Sequence, residues 1–353
     1  MNNPLVSVII PCYNLESKIS KCLNSVINQS YSNIEIICIN DASTDKTLDV
    51  LHSFASKDNR VNVIDLTKNA GAANARKVGI NHSKGKYIAF IDGDDWIKKD
   101  YFEVLVKACD SDIVVCCYHQ AAYKRISLRK CDIRPDLIDR RVAGQELTNL
   151  HYAFFGISIF PLYTWSKLYN KSLFDEPIPD FGVFFQDDVL LNMHIFKNVK
   201  SIRFINYSGY YYRCGGGSDN RTQQYINDMK KVYAFKKSAL EDNGSPFHGL
   251  NNAQNYILVE LKNCLYIYIK HLIDKYGDTV AHNQLLTELQ DPIYQDFKLF
   301  DGDFSDYAKQ PMYQSVIEKD IPTVIALAKN EAVLNRSRFK EKLKQIARQI
   351  LNL

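Results

Sequence analysis

No uninterrupted apolar run in this 353-residue sequence approaches the roughly twenty residues a helix needs to cross a bilayer, so no segment reads as a membrane span. No signal-peptide pattern opens it: Met1-Asn2-Asn3-Pro4 leads directly into a short strand, and the expected compartment is the cytoplasm. The nine cysteines form an odd set without a Cys-x-x-Cys pair, and Cys38, Cys116 and Cys117 lie in apolar strands, so reduced core thiols are expected. Charge of one sign is scarce. A net charge of +4 is too mild to make nucleic acid the main partner. Internal repeats and low-complexity tracts are absent. Also missing is a glycine-rich phosphate cradle after the first strand, because Val6-Ser7-Val8-Ile9-Ile10 runs into Pro11-Cys12-Tyr13-Asn14. That absence counts against a nucleotidyltransferase, which would otherwise share a metal site and an α/β sheet.

What the sequence does have is acidic residues at the ends of apolar runs. Tyr87-Ile88-Ala89-Phe90-Ile91 reads as a buried strand of a parallel sheet and ends in Asp92-Gly93-Asp94-Asp95-Trp96. Ligands bind beyond the carboxyl ends of such strands. Carboxylates crowded there repel one another unless a cation neutralises them, so Asp-x-Asp suggests a hard divalent ion held for a phosphate-bearing ligand. An acidic turn would have the same composition, and the neighbouring strand ends decide between the two. Tyr13 leaves the first strand where an aromatic face can stack on a base. Ile34-Glu35-Ile36-Ile37-Cys38-Ile39 ends at Asn40-Asp41, whose carboxylate can accept from a base imide, and Ser43 or Thr44 is expected to cap the following helix. A third strand, Val61 to Leu66, leads into a small-residue helix carrying Arg76, where a guanidinium could meet a base or a diphosphate.

These motifs, in this order from Val6 through Trp96, closely resemble the N-terminal half of family 2 inverting glycosyltransferases of the GT-A fold, the kind that act in bacterial surface-polysaccharide synthesis. The resemblance implies that Pro11, Tyr13 and Asp41 frame the uracil of a UDP-sugar and that Arg76 supports the nucleotide. It also implies that Asp92 and Asp94 form the Asp-x-Asp pair for manganese or magnesium, with the choice between Asp94 and Asp95 at the ion left open. The chain departs from the family at Asn40-Asp41-Ala42, where Asp-Asp-Gly is usual, yet it keeps Asp41.

In the second half, Trp165-Ser166-Lys167-Leu168 resembles the family's Trp-x-Lys-Leu segment, a support for the acceptor pocket; a partly buried aromatic turn with Lys167 solvated is the plainer account. Asp187-Asp188 opens a helical pattern and matches the family's Glu-Asp pair, with Asp187 replacing the Glu. The resemblance makes Asp188 the catalytic base, although two acidic residues at a helix start are also explained by its dipole. Tyr210-Tyr211-Tyr212-Arg213, followed by Gly215-Gly216-Gly217-Ser218, is similar to the family's Tyr-Arg segment. Arg213 would then meet the diphosphate, and the glycine loop would close over it or merely link two domains.

From these patterns we expect a GT-A α/β domain over residues 1–220 and a helical region over 221–353, with helices over Tyr225–Leu240, Ala253–Tyr276 and Ile321–Leu334. Beyond them a further C-terminal helix is expected to be basic and amphipathic: Phe339, Leu343, Ile346, Ile350 and Leu353 form one apolar stripe, flanked by Arg336, Arg338, Lys340, Lys342, Lys344 and Arg348. Such a helix suits an anionic membrane surface, and its spacing would equally serve packing on the helical region or on a second copy in a homodimer. The expected partners are a UDP-linked donor and a glycan or lipid-linked glycan acceptor, with peripheral contact at the inner face of the plasma membrane through 336–353. The reaction expected is transfer of a hexosyl or N-acetylhexosaminyl group. A catalytically silent glycan-binding subunit is the alternative from outside enzymology.

Overall fold

The computed structural model describes residues 3–121, 127–156, 160–214, 223–300 and 311–330. The chain divides into two compact units, one of Met1–Asp219 with Asp242–His248 and one of Asn220–Glu241 with Gly249–Leu353.

The first unit begins as a doubly wound α/β array. Its elements are β1 (Val6–Cys12), α1 (Ile19–Ile27), β2 (Ile34–Asn40), α2 (Thr47–Ala55), β3 (Val61–Asp65), α3 (Gly71–His82), β4 (Tyr87–Phe90) and β5 (Trp96–Ile97). There follow α4 (Tyr101–Lys107), β6 (Ile113–Ala121), β7 (Ser127–Lys130), β8 (Arg141–Ala143), α5 (Gln145–His151), β9 (Lys167–Asn170), α6 (Asp187–Phe196) and β10 (Ser201–Arg213). One ten-stranded sheet runs in the order β3-β2-β1-β4-β9-β6-β10-β5, with β7 beside β6 and β8 beside β10. β1, β2, β3 and β4 are parallel; the apolar side chains of β2 and β4 and nearly all of those of β1 are buried on both faces, while the edge strand β3 is only partly buried.

The chain winds outward from β1 to β3, then α3 carries it back across to β4 on the other side of β1. That reversal opens a crevice beyond the carboxyl ends of β1 and β4, the place where such sheets hold ligands. Tyr13 and Asp92 lie on either side of it. α1 faces the sheet through Ile19, Cys22, Leu23 and Val26, a spacing of three and four that makes one buried stripe.

Two local expectations are corrected. α2 starts at Thr47 with Lys46 at its N-cap position and no side-chain cap there, while Asp45 just before it accepts from the Thr47 N–H at 2.9 Å. Ser43 instead accepts from the Asn14 N–H and Thr44 donates its N–H to the Asn14 side chain, so both hydroxyl residues tie the β1 and β2 loops together. Cys117 is not a reduced thiol: the β6–β7 hairpin brings it to Cys131, Cα to Cα 4.5 Å, and the two form a disulfide, while Cys38 and Cys116 are free and buried. Ala42, where the family usually has glycine, sits at φ 54°, a left-handed backbone that disfavours any Cβ.

The second unit contains α7 (Gln223–Glu241), α8 (Ala253–Tyr276), α9 (Asp278–Glu288), α10 (Pro311–Glu318) and a helix over 321–330. Its interior pairs Lys236 with Glu260 at 2.7 Å and Lys230 with Glu288 at 2.9 Å. Among the described residues no helix is long and apolar enough to cross a membrane. The glycine run at 215–217 and the stripe within 336–353 lie outside the described residues.

Candidate active site

At the crevice, Arg76 is the hub. α3 buries it to 4% exposure, and its guanidinium reaches three carboxylates from two separate parts of the chain. Nη2 donates to Asp92 at 3.0 Å, and Nη1 lies 2.6 Å from Asp187 and 2.8 Å from Asp188. Arg76 thereby locks the Asp-x-Asp loop after β4 to the start of α6. Burial works against its charge, but Asp188, Asp187 and Asp92 outweigh that cost and hold the guanidinium firmly cationic. One cation cannot balance three anions. The pKa values of Asp92 and Asp187 rise, first through burial and then through repulsion by neighbouring carboxylates that Arg76 only partly offsets.

Asp188 keeps an accessible face, with its side chain 23% exposed. Besides Arg76 it is held by Thr164, whose hydroxyl donates at 3.3 Å and whose backbone N–H donates at 3.4 Å. α6 is entered through Gln186 at φ 58°, a sharp left-handed turn that places both acids in the first turn of the helix.

The choice between Asp94 and Asp95 has a structural basis. Asp95 is buried and fully engaged, accepting from the Tyr210 hydroxyl at 2.7 Å and from the Arg213 N–H at 2.7 Å. Burial, followed by repulsion from Asp92, raises its pKa. Asp94 is partly exposed and has Lys18 at 3.7 Å. Asp94, with the outer oxygen of Asp92, is therefore the pair that could meet a cation. Among the described residues no group of three or more His, Cys, Asp or Glu side chains is gathered as a metal cage. The pair still fits magnesium-type chemistry, where one or two carboxylates are joined by substrate phosphates.

Arg213 is anchored beside this pair, its Nε donating to the Asp94 carbonyl at 2.7 Å and its guanidinium 5.2 Å from the Trp96 ring centre. Pro11 lies within β1, and Tyr13 follows it with 47% exposure, an open aromatic face. Asp41 is not an unpaired charge at a strand end: its two oxygens accept the Ala70 and Gly71 N–H groups at the start of α3, both at 2.9 Å.

The proposed acceptor support is buried. Trp165 is sandwiched between Tyr163, at 3.7 Å between ring centres, and Tyr210, at 4.8 Å. Lys167 is fully buried rather than solvated, and its ammonium donates to the Tyr163 carbonyl. Neither side chain offers a surface to an acceptor. Thr164 and Tyr210 were not singled out from sequence; both adjoin motifs that were, Thr164 beside Trp165 and Tyr210 in the Tyr-Arg segment.

With that geometry in view, the comparisons are specific. The family model described as Glycosyl transferase family 2 matches residues 7–164. Glycosyltransferase GlyG of Streptococcus pneumoniae is 34% identical over 243 residues, covering 66% of this chain and 80% of that protein. Glycosyltransferase GlyA of the same organism is 31% identical over 247 residues, 68% of this chain, but the chain spans only 35% of that relative's length. Among solved structures, S. aureus TarS 1-349 in complex with UDP-GlcNAc superposes with a TM-score of 0.62 at 19% identity, over 93% of this chain and 91% of that one, a likeness of fold.

Proposed function

Because this chain belongs to glycosyl transferase family 2 and has a GT-A fold with a helical C-terminal region, we propose that it moves a sugar from a UDP-sugar to a glycan hydroxyl with inversion. The acceptor in this reading is a free or lipid-linked glycan of a bacterial capsule, lipopolysaccharide or exopolysaccharide. The observation that carries it is the tie from Arg76 to Asp92 and Asp188, which sets an accessible carboxylate beside the Asp-x-Asp loop.

Asp188 takes the proton as the acceptor oxygen attacks the anomeric carbon and the bond to the diphosphate breaks. No covalent nucleophile is needed. Tyr13 stacks on the uracil, and Asp41 retains lone pairs for its imide beyond those that accept from α3. Arg213 meets the diphosphate, whose developing charge it helps to balance. Asp94 and Asp92 would hold manganese or magnesium, which when bound neutralises the departing diphosphate. The UDP-GlcNAc bound by TarS supports a UDP-linked donor. The apolar stripe and its basic flanks in the sequence of 336–353 support peripheral contact with an anionic membrane.

The test is to incubate the protein and manganese with a panel of nucleotide sugars, with and without an extracted lipid-linked acceptor, and to read nucleoside diphosphate release. UDP release that depends on acceptor and is lost in excess chelator is expected. Full activity in chelator would remove the metal from the mechanism, and no release from any donor would remove the activity.

A further inference from the structure

Lys167 is a buried cation for which the mechanism above has no use. It opens β9 directly after Ser166, whose φ of 60° breaks the strand and whose hydroxyl donates to the Cys116 carbonyl at 2.9 Å. That kink turns the lysine inward, where the ammonium meets the Tyr163 carbonyl and lies 4.4 Å from the Tyr163 ring centre. The same peptide unit points its other end at the base, since the N–H that Tyr163 shares with Thr164 donates to Asp188. A single peptide plane therefore separates a buried ammonium from the carboxylate that takes the proton.

We propose that Lys167 is a positioning residue for Asp188, holding and polarising the Tyr163–Thr164 peptide so that the carboxylate stays aimed at the acceptor. The inference rests on the reading of Asp188 as base. A hydrogen bond to the carbonyl strengthens the N–H of the same amide as a donor. The groups facing Lys167 are few: Asp188 on α6, Asp132 beyond β7, Cys116 on β6, and the rings of Tyr163 and Phe160. A buried lysine is costly to charge, and burial lowers its pKa to about 7 despite Asp188, Cys116 and Asp132, so the site keeps this group at a price in stability.

Two variants separate the parts of this role. Lys167→Met removes both the donor and the charge, while Lys167→Gln keeps a donor for the Tyr163 carbonyl and removes the charge. The kcat should fall about tenfold in Lys167→Met and be largely restored in Lys167→Gln, with the donor KM unchanged in each. A purely structural lysine predicts lower melting temperatures in both variants with kcat per folded enzyme unchanged, and that result overturns the proposal. Should the lysine variants not fold, replacing Thr164 by its α-hydroxy acid turns the Tyr163–Thr164 amide into an ester and removes the N–H that reaches Asp188: a comparable loss of kcat at unchanged KM supports the proposal and an unchanged kcat overturns it. If Asp188→Asn proves fully active, the base assignment fails and the proposal fails with it. If Asp188→Asn is inactive and kcat is unchanged in the Lys167 variants, only the lysine's role is lost.

Discussion

The Arg76 guanidinium stands 2.8 Å from Asp188 while its second terminal nitrogen stands 3.0 Å from Asp92. The proposed base and the Asp-x-Asp loop are thereby fixed to one rigid group, which matters because misplacing a reacting group by about 1 Å can cost about a hundredfold in rate.

Arg76→Met should destabilise the first unit by about 3–5 kcal/mol, since it leaves buried carboxylates without their counter-ion. Arg76→Lys retains the charge but cannot span three acceptors, so it should stay folded and lose tenfold or more in kcat, on the order of what misplacement costs. Thermal melts and steady-state kinetics check both. A fully active Arg76→Lys would show that the fork does not position the base.

Asp95 predicts a pH dependence of stability. Its pKa is raised in the folded chain, to about 8, so the native state favours the protonated acid. The stability from this group is fully present below the ordinary carboxylate range and is lost as pH rises through about 8. Asp92 and Asp187 are shifted in the same direction. Asp95→Asn can donate to the Tyr210 oxygen while accepting from the Arg213 N–H, so its melting temperature should exceed that of the parent near pH 8 and change less with pH. Identical slopes in both proteins would rule out Asp95 as the source.

Gly79 packs α3 against the sheet. A Cβ there would come within 2.4 Å of the Ile9 side chain and 2.9 Å of the Ile39 side chain. Gly79→Ala should therefore destabilise by about 1–2 kcal/mol, because the overpacking penalty exceeds the roughly 1 kcal/mol that alanine gains in helix propensity. Urea unfolding of the two proteins measures the balance, and a more stable alanine variant would show that the isoleucines move aside.

The sequence made strand ends legible because buried parallel strands are continuous apolar runs, and Tyr87–Phe90 ending before Asp92 is one. It also made long helices legible: the pattern over Ala253–Tyr276 forms α8 over the same residues. It could not show what a side chain meets across the fold. Arg76 and Asp188 are far apart in the chain, so the carboxylate partners of this guanidinium could not be read from the sequence. Lys167 was read as support for an acceptor pocket, with a solvated side chain as the alternative, because a strand pattern gives no warning of the Ser166 kink beside it. Cys117 was read as a core thiol because only the β6–β7 pairing reveals Cys131 beside it. Asp41 was read only as a partner for a base imide because its partners in the fold, the first N–H groups of α3, belong to the next strand–helix unit.

The most direct test of the account is Asp188→Asn, which keeps the size of the side chain and cannot accept the acceptor's proton. The account predicts unchanged affinity for the UDP-sugar, measured calorimetrically, and turnover lower by roughly two to four orders of magnitude. Near-normal turnover with intact donor binding would contradict it and move the search for the base to Asp187.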